Sequence, residues 1–145
     1  MVIAPENTIF VALCFEGPDD YSMAGGLGAR INHLTNTLAD TGFVVHHIFI
    51  GDPGMDGVEL RKGGKLILHR WCQWVSGIHR NGVYDGETWK VDDFTKSAPS
   101  FVVQDLVHPA VSAGKQVVIL ERNGRLPKQC AAYMTSYIYT SSATR

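Results

Sequence analysis

Apolar residues gather in short dense runs separated by polar, glycine-bearing turns, and the spacing inside the runs changes along the chain. Residues 9–15 (I-F-V-A-L-C-F) form one continuous apolar run rich in strand formers, as expected of a strand covered on both faces in a parallel sheet. After the polar turn E-G-P-D-D, Leu27, Ile31, Leu34 and Leu38 recur at spacings of four, three and four. That is one helical stripe, and it predicts a helix over residues 26–40. Gly42 stands where a left-handed residue ends a helix, and Phe43 supplies the accompanying apolar contact before a second strand-like run, F-V-V-H-H-I-F-I. Strand, helix and strand in this order cross over right-handed with the helix laid on the sheet, so the front of the chain predicts a Rossmann-like layer.

The middle is less regular. Residues 51–64 carry Gly51, Pro53, Gly54, Gly57, Gly63 and Gly64 among charges and read as loops with a short hairpin arm, followed by a short strand, K-L-I-L-H, at 65–69. Residues 71–80 are mixed, N-G-V-Y-D-G-E adds turn signals, and the stretch up to Ser97 has no clear period. Residues 99–113 predict a second helix with Phe101, Leu106 and Val107 in the core and Gly114 as its stop, bent or split at Pro109. K-Q-V-V-I-L at 115–120 is a third buried strand. The expected fold class is therefore α/β, a partial Rossmann-like domain with a parallel sheet over residues 1–120. The polar, broken sequence of 121–145 does not continue that pattern and is expected to be an aberrant tail, its Tyr-Ile-Tyr run disordered or prone to add to a strand edge.

Composition narrows the function classes. The chain has 145 residues, 45% hydrophobic and 19% charged, enough for one buried core. A net charge of -1 with lysines and arginines spread along the chain argues against a nucleic-acid partner. No apolar run is long enough to cross a membrane and the first ten residues lack the features of a secretory signal, so a cytoplasmic protein with no transmembrane segment is expected. Cys14, Cys72 and Cys130 are odd in number and far apart, which argues against a disulfide framework or a C-x-x-C site and for unbridged thiols.

The sharpest candidate for chemistry is Y-S-M-A-G-G-L-G-A-R, where Gly25, Gly26 and Gly28 join the first strand to the first helix. Glycines let backbone approach a ligand, amides at a helix N-terminus favour an anion such as a diphosphate, and Arg30 adds a charge-assisted contact. The spacing fits neither G-x-G-x-x-G nor a Walker loop, and a turn that merely allows close packing remains an equal reading. His69, Arg70, Trp71 and Trp74 follow a strand and can stack on and hydrogen-bond a sugar, or the tryptophans can plug the core with Arg70 a surface charge. Tyr84, Asp85 and Glu87 can touch acceptor hydroxyls or form a solvated turn. His46 and His47 are adjacent on a strand and point to opposite faces, no H-E-x-x-H cluster exists, and no metal is expected. A G-x-S-x-G nucleophile elbow is also missing.

Together the first strand, Y-S-M-A-G-G-L-G, the helix ending L-A-D-T-G-F, the strand closing on G-D-P, and the strings L-H-R-W-C-Q-W, G-V-Y-D-G-E and H-P-A-V-S-A-G-K-Q-V-V-I-L resemble the N-terminal domain of GT-B glycosyltransferases. The resemblance is to family 4 enzymes and, more distantly, to glycogen and starch synthases; Met23 stands where glycogen synthases carry a lysine. It implies a two-domain enzyme that moves a sugar from a nucleotide-sugar donor to an acceptor glycan or small molecule, with retention of anomeric configuration and no cofactor. By the same resemblance Gly25, Gly26, Gly28 and Arg30 lie against the donor diphosphate, and His69, Arg70, Trp71, Trp74, Tyr84, Asp85 and Glu87 are candidate acceptor contacts. No catalytic residue is assigned. A C-terminal domain holding most of the donor is missing from the chain, which is expected to be inactive alone. Glu121, Arg122, Asn123 and Gly124 replace the expected continuation; permitted codons from the third base of the Glu121 codon spell A-E-W-Q-T-A-E-A-V-R, which points to a frameshifted tail. The alternatives are a non-catalytic sugar- or nucleotide-binding remnant and a small nucleotide-binding protein, for which Asp52 at the end of the second strand would be the ribose contact.

Overall fold

In chain order the elements are β1 (Thr8–Leu13), α1 (Gly26–Asp40), β2 (Val44–Ile50), β3 (Val58–Arg61), β4 (Leu66–Trp71), α2 (Gln73–Ile78), α3 (Glu87–Phe101), α4 (His108–Ser112), β5 (Gln116–Glu121) and β6 (Tyr137–Ser141). They come from a computed structural model that describes residues 2–121 and 137–141; Cys130 and the rest of the expected aberrant tail lie outside the described residues. The sheet order is β3-β4-β2-β1-β5-β6. Among the described residues only the β3–β4 hairpin, the arm expected among the glycines of residues 51–64, is antiparallel; the other neighbours run parallel. Strand order reverses at β1, with β2 and β4 on one side and β5 and β6 on the other, the arrangement of a partial Rossmann-like domain.

Tyr137–Ser141 pairs in register with β5, Val117 opposite Tyr137 and Glu121 opposite Ser141. Part of the segment whose composition did not continue the α/β pattern thus extends the sheet. No helix among the described residues is long and apolar enough to cross a membrane.

Alternation along the strands sends side chains into two cores. On one face Ile9, Val11, Leu13, Ile48 and Ile50 pack beneath Phe94, Ala98, Val102 and Val107 of the second helical region. On the other, Phe10, Val45, Phe49 and Leu68 pack with Ala39, and Ala12 and Cys14 with Ile31, under α1. The buried stripe of α1 is Gly28, Ile31, Thr35 and Ala39, whereas Leu34 is 37% exposed. The helix is rotated from the leucine stripe because its small residues let it lie close to the sheet, with Leu27 and Leu38 only partly buried at the flanks. Gly42 and Gly114 have positive φ, 106° and 80°, as the stop signals predict.

The second helical region starts at Glu87, twelve residues before the expected start at Pro99. Its buried stripe is Lys90, Phe94, Ala98, Val102 and Leu106, so a lysine occupies the first core position and hides the period. Between α3 and α4 the chain widens into a π-helical stretch, residues 102–107, immediately before Pro109. Proline lacks an N–H and its ring crowds the carbonyl four residues back, and the wider turn relieves that crowding. The helix expected to bend or split at Pro109 thus changes its hydrogen-bonding pattern just ahead of that proline.

Candidate functional site: a cleft at the carboxyl edge of the sheet

The segments leaving β1, β2 and β4 meet over an open cleft of about 660 Å³. Tyr21, Met23 and Ala24 come from the first, Asp52 from the second, and Arg80 and Tyr84 from the loop between α2 and α3. Carboxyl edges of parallel sheets are where α/β domains collect ligands, because successive loops diverge there. Among the described residues, Asp20, Asp52 and Asp85 supply three carboxylates around this cleft against one guanidinium, Arg80.

One wall stands on a buried ion network. Arg70 near the end of β4 donates from Nε and Nη2 to Asp19, both at 2.9 Å, with no exposure of the Arg70 side chain and 1% of the Asp19 side chain exposed. Its Nη2 also reaches Glu59 at 2.7 Å on β3, and Nη1 donates to the Asp56 carbonyl. Asp19 Oδ2 accepts the Asp52 amide at 2.9 Å, and Ser22 Oγ donates to the Ile50 carbonyl. A single guanidinium thereby ties together the segments that follow β1 and β2 and the hairpin. Burial opposes the charge on Arg70, but the hydrogen-bonded carboxylates of Asp19 and Glu59 raise its pKa above the ordinary value.

The glycine turn rises from the same wall and contains both readings of its sequence. Glu16, 4% exposed, points its carboxylate at the start of α1, where Oε1 accepts the amides of Ala24 and Gly28 at 3.1 Å each. A β-carbon on Gly28 would lie 2.9 Å from that oxygen, so Gly28 is a close-packing glycine whose amide is already engaged. Gly25 and Gly26 differ: a β-carbon on either would meet nothing within 4 Å. These two exposed glycines present open backbone at the helix N-terminus, and Arg30 is exposed one turn further on. The Glu16 carboxylate is the anion that this helix end holds within the chain itself. Its Oε2 accepts the Tyr84 hydroxyl at 2.6 Å, joining the turn to the opposite wall.

That opposite wall, residues 79–86, hangs on Lys90. The lysine is fully buried, and its Nζ donates to the carbonyls of His79 at 3.0 Å and Gly82 at 2.6 Å while lying 4.9 Å from the Tyr21 ring centroid. Tyr21 donates its hydroxyl to the His79 carbonyl at 2.6 Å, and its own carbonyl accepts the Val83 amide.

The sequence candidates therefore part company. Tyr84 and Asp85 line the cleft, and Glu87 begins α3 just beyond it. Arg70 is enclosed in the ion network, neither a surface charge nor part of the cleft lining. His69 is stacked on His46, with Nε2 2.9 Å from His46 Nδ1, and packs against Phe101, as does Trp71. Burial lowers the pKa of both imidazoles to about 4, and for His46 the charge of His69 adds to the effect. His47 on the other face is fully buried with Nε2 3.3 Å from the Glu16 carbonyl; burial again lowers its pKa to about 4, partly offset by that carbonyl and by Asp19. Cys14 and Cys72 are buried thiols, and burial pushes the Cys72 pKa upward. Trp74 is exposed and plugs no core.

The residues that sequence reasoning passed over are Glu16, Asp19, Tyr21 and Lys90. The first two sit in E-G-P-D-D, read only as a polar turn, and the sign available was that carboxylates directly follow a strand buried on both faces. Set against family models, curated proteins and solved structures, the chain matches none.

Proposed function

We propose that the chain is the acceptor-holding domain of a glycosyltransferase, one that uses a nucleotide sugar as donor substrate and works with a second, donor-binding domain. The observation that carries the reading is the open cleft at the carboxyl edge, bounded by Met23 and Ala24 of the glycine turn, next to Gly25 and Gly26 where an added β-carbon would meet nothing within 4 Å among the described residues. The motif strings that resemble GT-B glycosyltransferases include this turn and the G-V-Y-D-G-E loop across from it.

The charge of the lining divides the labour. Asp20, Asp52 and Asp85 accept hydrogen bonds from the hydroxyls of a neutral acceptor, and Tyr21 and Tyr84 offer rings for its apolar face. The same carboxylates disfavour a diphosphate inside the cleft, so the donor's phosphates belong outside it, above Gly25 and Gly26 and towards Arg30. Amides there would stabilise the charge that grows on the leaving diphosphate as the glycosyl bond breaks. Gly28 and Glu16 act one step back, holding the turn in place.

Calorimetric titration of the chain with neutral mono- and disaccharides and, separately, with uridine- and guanosine-diphosphate sugars tests the reading. The expected result is saccharide binding weakened roughly tenfold by Asp85→Asn, the loss of one charge-assisted hydrogen bond, with no binding of nucleotide sugar to the chain alone. Tight nucleotide-sugar binding without saccharide binding would make the chain a nucleotide-binding protein instead. Binding of neither class would remove the proposal.

A further inference from the structure

Two of the three tryptophans in the chain, Trp74 and Trp89, stand at the surface, 61% and 59% exposed. They come from neighbouring helices, α2 and α3, and line one depression of about 300 Å³ together with Asp92, Asp93 and Lys96. Leaving two indoles in water has no structural return, since neither supports the core. The Trp89 side of the depression is nevertheless held from behind, where the indole meets the His79 ring at a centroid distance of 6.2 Å.

We propose that this depression is a carbohydrate subsite, separate from the cleft, that takes neutral pyranose rings of an oligosaccharide. A pyranose carries an apolar C–H face that stacks on an indole and a rim of hydroxyls that carboxylates accept from and an ammonium donates to; Trp74, Trp89, Asp92, Asp93 and Lys96 supply this set of groups within one concavity. A volume of about 300 Å³ suits a short sugar segment. The rival occupant is a second copy of the chain, because Ile78, four residues after Trp74 on α2, is also 61% exposed. Charge argues against it: cores of protein interfaces are depleted in charged residues, whereas three charged side chains share the depression with the indoles. The proposal does not rest on the reading of the cleft.

Because these two residues dominate the exposed tryptophan emission, fluorescence titration with maltoheptaose and with cellohexaose reads the site directly. The expected result is quenching or a blue shift that saturates with one of the two glycans. Affinity should fall roughly tenfold in Trp89→Ala and in Trp74→Ala, the loss of one stacked ring, and stay unchanged in Asp85→Asn of the cleft. Asp92→Asn, on the exposed rim, serves as a second probe should a tryptophan variant melt differently from the parent chain. No response to either glycan would overturn the proposal, as would equal binding in both tryptophan variants or loss of binding in Asp85→Asn alone. Concentration-dependent self-association in sedimentation that Trp74→Ala abolishes would give the patch to a second copy of the chain.

Discussion

On the side of the cleft built from β1, β2 and the hairpin, the backbone is fixed by charges that answer one another: Arg70 between Asp19 and Glu59, and Glu16 against the amides of Ala24 and Gly28. Across the cleft, residues 79–86 are fixed by one ammonium, Lys90, donating to two carbonyls, and by the Tyr21 hydroxyl. The first wall joins four strands of the sheet and belongs to the folded core, whereas the second is a loop held by side-chain tethers from Lys90, Tyr21 and Tyr84. A substitution in the first should therefore unfold the domain, and a substitution in the second should open the cleft while leaving the domain folded.

The largest effect is expected at Arg70. Arg70→Met keeps much of the side-chain volume but leaves Asp19 as a buried carboxylate without its partner, a change that costs about 3–5 kcal/mol in comparable buried pairs. Against a total stability on the order of 5–15 kcal/mol for a domain, the urea midpoint should drop far enough for partial unfolding to be visible without denaturant. Asp19→Asn should lose comparably, since it strands the guanidinium instead. If Arg70→Met and Asp19→Asn both leave the midpoint in place, the network does not hold this wall together.

Acid attacks the same wall from beneath. His46, His47 and His69 have folded-state pKa values lowered to about 4 from an ordinary 6.5, so between those values the unfolded chain binds more protons than the folded one. Stability is then fully present above about pH 6.5 and declines as pH falls towards 4. For fully buried His47, which lies next to the Glu16 carbonyl, the shift corresponds to about 3 kcal/mol. Urea midpoints at pH 7, 6, 5 and 4.5 should fall progressively, and His47→Phe should flatten part of that slope. A flat profile from pH 7 to 5 would mean that the three imidazoles are not held neutral.

How much of this the sequence disclosed follows from the kind of residue involved. Runs such as I-F-V-A-L-C-F and K-Q-V-V-I-L announce β1 and β5 because a strand buried on both faces must be apolar throughout, and Gly42 announces a helix end because few other residues take its φ of 106°. The start of α3 stayed hidden because Lys90 occupies a core position that periodicity assigns to an apolar residue. Within the site, Tyr84 and Asp85 were found through the resemblance carried by G-V-Y-D-G-E, and the exposed Gly25 and Gly26 through their position before a helix. Asp19 and Arg70 lie 51 positions apart in the chain, and their pairing depends on β4 lying next to β2, which local pattern does not reveal. Trp89 is concealed for a related reason, since its companion Trp74 belongs to a different helix.

The smallest effect on stability, and the clearest separation of the two walls, is expected at Lys90. Lys90→Met removes two charge-assisted hydrogen bonds but also relieves the cost of burying an ammonium, so the net loss should be only about 1–2 kcal/mol. What changes is the loop: without Nζ, the carbonyls of His79 and Gly82 have to find water, and residues 79–86 lift towards solvent to reach it. The Val83 amide, which now bonds the Tyr21 carbonyl at 2.9 Å, and the Asp85 amide, which bonds the Gly82 carbonyl at 3.1 Å, should exchange with deuterium much faster. Amides of β1 and β2 should keep the parent rate once corrected for the small global loss. Uniform acceleration across the sheet would show that Lys90 belongs to the same cooperative unit as Arg70, and the distinction between a core wall and a tethered loop would then fail.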